Sequence, residues 1–126
     1  MIDERCLYDQ FEAWLEDVCR AEEPGADIVA YNLGLFEGER GYVAYLIGSI
    51  EYDEEDPDWA CSEDFVPKQK YFRLPDSAGA DWQDVQTMVE KFVSRFVSTP
   101  EHGSCFLVNA ETITVGFDEG DLSRVR

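Results

Sequence analysis

Residues 27–52 read DIVAYNLGLFEGERGYVAYLIGSIEY, and how this stretch pairs with itself decides the fold. Two β-rich runs, 27–36 and 41–50, flank Glu37-Gly38-Glu39-Arg40, a short polar connection with a glycine, as in a hairpin turn. Both runs are apolar on successive residues: Ile28-Val29-Ala30, then Val43-Ala44-Tyr45-Leu46-Ile47. Consecutive apolar residues mean central strands covered on at least one face. Gly34 and Gly48 mark bulges or places where other parts of the chain come close.

Upstream, residues 4–21 space Leu7, Phe11, Trp14, Leu15 and Val18 by three or four, giving a helix with one apolar stripe. Asp3 and Glu4 suit the positive end of its dipole, and Pro24-Gly25 ends it. Downstream, Tyr71-Phe72-Arg73-Leu74 reads as a short third strand. Residues 82–98 carry Trp82, Val85, Val89, Phe92, Val93, Phe96 and Val97 at helical spacing, with Asp81 as N-cap. Two further strands are expected at 105–108 and 112–117, joined by a turn at Asn109-Ala110-Glu111, while the polar tail DEGDLSRVR frays. The order α-β-β-(β)-α-β-β, with short turns, predicts a single α+β domain over residues 1–126. Its mainly antiparallel sheet of four to five strands has two helices packed on one face.

The 126 residues are 44% hydrophobic and 13% aromatic, enough to bury roughly two-thirds of the unfolded surface around a real core. Against that core stand 28 acidic and 10 basic residues, a formal charge of −18. Such a field repels phosphates, which excludes nucleic acid and anionic lipid as partners and favours cations and basic proteins. The start, MIDERCLYDQFEAW, has neither a basic segment nor an apolar one, and no apolar run reaches membrane-span length. Cys6, Cys19, Cys61 and Cys105 are widely spaced, so a cytoplasmic protein with reduced thiols is expected, with Cys6, Cys19 and Cys105 as small core residues.

The charge concentrates in residues 51–65, EYDEEDPDWACSEDF. An EF-hand loop counted from Asp53 needs Gly at its sixth position and Glu at its twelfth; Asp58 and Asp64 stand there, and the match fails. Asp118-Glu119-Gly120-Asp121 has a glycine but too few ligands of its own. Structural zinc sites use paired cysteines. Cys6 and Cys19, thirteen residues apart, fall on different helix faces at about 100° per residue. Cys61, Cys105 and His102 could converge only in space. The acidic neighbours of Cys61 disfavour its thiolate. His102, the one histidine, lies in a turn beyond a helix, where a surface or capping role outweighs a catalytic one. No glycine-rich phosphate loop occurs. No catalytic residue, metal set or cofactor is therefore assigned, and an enzyme is the weaker hypothesis.

Trp59 lacks any periodic context. It is either a lid residue that pins the acidic loop or an exposed anchor within a ring of carboxylates. In size, in charge, and in YNLGLFEGERGYVAYLIGSIEYDEEDPDWACSEDF and ITVGFDEGDL, the chain resembles small acidic cytosolic bacterial proteins of toxin–immunity pairs. The resemblance implies a non-catalytic inhibitor that blocks a basic toxin. On the first reading Glu51, Asp53, Glu54, Glu55, Asp56 and Asp58 supply field and salt bridges to a basic protein, with Tyr52 and Trp59 as anchors. Asp118, Glu119 and Asp121 extend that surface. The alternative is a small-ligand or divalent-metal-binding domain closed by the same loop, or a small enzyme using His102.

Overall fold

In the computed structural model, which describes residues 4–75, 77–118, 120 and 122–125, the decisive stretch is indeed a hairpin. Strand β1 (Ala30–Gly38) pairs antiparallel with β2 (Gly41–Ser49) without a bulge, from Ala30↔Ser49 to Gly38↔Gly41. Gly41 closes the turn at φ +126°, a conformation that side-chain-bearing residues rarely adopt. Helices α1 (Glu4–Ala21) and α2 (Trp82–Ser98) form where expected, and Asp81 caps α2 by accepting from the Gln83 backbone N–H at 2.8 Å. No helix among the described residues is long and apolar enough to cross a membrane.

The sheet runs β3-β2-β1-β4-β5, with β3 at Tyr71–Arg73, β4 at Thr112–Phe117 and β5 at Ser123–Arg124. It is mainly antiparallel; among the described residues, only β1 and β4 run parallel. Alternation gives it two unlike faces. Tyr31, Leu33, Leu35, Tyr42, Ala44, Leu46, Ile113 and Val115 join one core with the apolar stripes of both helices. Phe11 stands at its centre, within 6 Å of the Trp14, Phe72 and Phe92 rings. The second face carries Asn32, Gly34, Phe36, Tyr45, Thr114 and Gly116, as the register requires.

Four expectations are corrected. Residues 105–108 are not a strand but successive tight turns, in which Val108 and Ala110 donate to the Cys105 and Leu107 carbonyls at 3.1 and 3.2 Å. Their apolar content serves burial of Cys105 and Leu107, not a sheet ladder. The tail does not simply fray, since β5 pairs with β4 and Val125 donates to the Ile113 carbonyl at 2.9 Å. Trp82 leaves the α2 stripe: 52% exposed in the first turn, it packs edge-on against Phe117. Finally, Cys6 is exposed, and Cys19 and Cys105 are joined by a disulfide across 86 residues.

Candidate binding surface

The acidic stretch leaves β2 and returns to it. Gly48 and Phe65 exchange backbone hydrogen bonds of 2.9 and 3.0 Å, and the Asp64 carboxylate accepts from the Ile50 N–H and the Ser49 hydroxyl. With its ends clamped, the segment between is a compact surface loop. Local acid–backbone bonds shape it. The Asp53 carboxylate accepts from the Glu55 N–H at 2.9 Å, and Asp56 caps a 3-10 turn (Pro57–Cys61) by accepting from Asp58 at 3.0 Å. Carboxylates thus build the loop as well as charge it.

Trp59 resolves the two readings in favour of the lid. It is 6% exposed, with Tyr52 half-buried edge-on to it at 5.2 Å and the Arg124 guanidinium over the Tyr52 ring. As an exposed anchor, Trp59 is therefore corrected: the indole is worth more buried beneath the loop than in water. Glu51, Asp53, Glu54, Glu55, Asp56 and Asp58 all remain exposed around this plug.

Between the loop and the β4–β5 connection lies a cleft of about 420 Å³ on the second face of the sheet. Asp58 lines one side and Asp118 the other, so two acidic turns sixty residues apart share one cavity. Glu119 and Asp121 lie outside the described residues. Phe36, Tyr45 and Tyr71 form an aromatic floor. The Tyr45 hydroxyl donates to Asp118, and burial together with that carboxylate pushes the phenol well above its ordinary range. Lys70 reaches in over Tyr45 and Tyr71, 5.4 and 5.2 Å from the ring centres. Its pairing with Glu63 raises the ammonium pKa. The cleft therefore already holds one cation in the geometry that carboxylates and aromatic faces favour. Beside it, a groove of about 620 Å³ runs past Phe36 and Phe117 to the exposed Trp82, edged by Glu37 and Asp118.

Sequence reasoning missed Tyr45, Glu63, Lys70 and Tyr71. Gly34 was the available signal, since a glycine opposite an aromatic residue leaves room for a ring to lie flat on the strand. His102 also departs from expectation. It is neither a surface nor a capping residue but is 7% exposed and stacked on Phe96, with its Nε2 2.9 Å from Glu12. Cys61 is exposed and lines the cleft, away from the cavity that holds His102 and Cys105. No protein-family profile, curated protein or solved structure matches this chain.

Proposed function

We propose that this chain is a non-catalytic acidic binding protein that recognises a basic protein, in the manner of an immunity protein blocking a bacterial toxin. The observation that carries the reading is the pinned loop. Six exposed carboxylates, Glu51, Asp53, Glu54, Glu55, Asp56 and Asp58, ride on a backbone clamped at both ends and plugged by Trp59. A surface ordered in advance loses little conformational freedom on binding, and its field accelerates the encounter with a basic patch. Within this reading the anchors are Tyr71 and Trp82, 58% and 52% exposed, with carboxylates beside each. A cytoplasmic location belongs to the same proposal.

Association with a basic partner, first the product of a neighbouring gene, is followed by stopped flow across ionic strength. The D53N/E54Q/E55Q/D56N variant keeps side-chain acceptors at 53 and 56, so the loop retains its shape. Association is expected to slow about tenfold or more at low salt and to lose most of its salt dependence. Unchanged kinetics overturn the proposal.

A further inference from the structure

His102 lies far from the acidic cleft, and both of its ring nitrogens face carboxylates of α1. Nε2 is 2.9 Å from a Glu12 oxygen, whereas Nδ1 is 3.6 Å from a Glu16 oxygen. The first distance is a hydrogen bond and the second exceeds one. With Nε2–H donating to Glu12, the Nδ1 lone pair faces the Glu16 carboxylate, two donor atoms placed as the ligands of one metal ion are. Two ligands on a tetrahedral zinc with bonds of about 2.0 Å stand about 3.3 Å apart, close to the separation here. Glu12 would then orient the ring through its other nitrogen, as carboxylates do for metal-bound histidines.

Glu12, Glu16 and His102 bring their ligand atoms within 4.8 Å of one another, and two cysteines line the same cavity. Cys19 follows Glu16 by three residues on α1, and Cys105 follows His102 by three in the tight turns. Glu16, Cys19, His102 and Cys105 all line one cavity of about 210 Å³, with Arg20 at its edge, paired to Glu16 and Asp17. The half-cysteines have Cα atoms 5.3 Å apart. Thiolates sharing one zinc stand about 3.8 Å apart, against about 2.0 Å in a disulfide, a difference that side-chain rotation meets.

We propose that in the dithiol state Glu16, Cys19, His102 and Cys105 form a four-coordinate site for zinc or a similar divalent ion, and that disulfide formation expels the metal. Reduction by a dithiol breaks the Cys19–Cys105 bond with two electrons and two protons, and the reductant leaves as its own disulfide. Metal binding then releases the two thiol protons. In the reverse direction, two electrons pass from the paired thiolates to a small-molecule disulfide, which departs as two thiolates while the metal is released.

Cobalt(II) is the probe, added to the full chain in a C6S/C61S background, so that thiolate can come only from Cys19 and Cys105. The phosphine-reduced protein is expected to bind one ion with a sulfur-to-cobalt charge-transfer band and tetrahedral visible bands, which zinc displaces. The oxidised protein shows no such band. Glu12→Gln weakens binding about tenfold or more while circular dichroism stays native, and His102→Ala removes the tetrahedral bands. The D53N/E54Q/E55Q/D56N changes leave the site intact, which separates it from diffuse binding to the acidic loop. No charge-transfer band in the folded, reduced protein overturns the proposal. A band equally strong in the oxidised protein, or unchanged by His102→Ala, does the same.

Discussion

Tyr45 lies across Gly34. The two are Cα partners in the β1–β2 ladder, and a Cβ added to Gly34 would come within 2.0 Å of the Tyr45 ring. The contact explains a glycine in a central strand, where it otherwise costs conformational entropy. It also aims the Tyr45 hydroxyl at Asp118 across the cleft. Gly34→Ala should therefore lift the ring and destabilise the fold by about 1–3 kcal/mol. In a double-mutant cycle by urea unfolding, Tyr45→Ala should relieve most of that penalty; simple additivity would refute the contact as its cause.

Trp59 and the exposed aromatics should behave oppositely. Trp59→Ala leaves a cavity beneath the loop and should cost about 3 kcal/mol, with faster hydrogen exchange at the Gly48, Asp64 and Phe65 amides that clamp its base. Tyr71→Ala should shift stability by no more than about 1 kcal/mol yet weaken partner binding about tenfold or more. Thermal unfolding and titration calorimetry on the same two variants separate the roles.

Alkaline pH provides a third check. Burial raises the Tyr31 phenol to about 12, and Tyr8, Tyr42 and Tyr45 are also raised, burial being the largest cause in each. The folded state holds these protons more tightly than the unfolded chain, whose tyrosines titrate near 10. This stabilisation is complete below about pH 10 and is lost as pH rises toward 12 and beyond. Denaturation midpoints should fall over that window, and Tyr31→Phe should flatten part of the decline. An unchanged slope in Tyr31→Phe would remove Tyr31 from the account.

Reducing the Cys19–Cys105 bond frees a loop of 86 residues and, with a chelator present, should lower stability by about 2–5 kcal/mol. Urea titration of oxidised and reduced protein measures it. A loss below about 0.5 kcal/mol would mean that the ends of α1 and of the tight turns are already held by the core.

The elements were legible because their signals are local. Apolar spacing marks α1 and α2, the Asp81 cap and the hairpin glycine are short-range devices, and the apolar run at 43–47 lies wholly within the central strand β2, whereas β1 begins only at Ala30, after Ile28 and Val29. The 105–108 run misled because apolar β-branched and aromatic content reports burial before it reports a ladder. The six exposed acids of the loop were legible too, since nothing short of pairing could bury so many charges.

What the chain alone determined is thus the α+β class, the two amphipathic helices, the hairpin and the seat of the charge, each a consequence of neighbours within a few residues. Only the tertiary structure decided that Trp59 is a plug, that Asp58 and Asp118 line one cleft, and that Glu16, Cys19, His102 and Cys105 share a cavity. Those relations join residues tens of positions apart. They depend on which sheet face a loop crosses and where a helix end meets a turn, and packing of the whole core sets both.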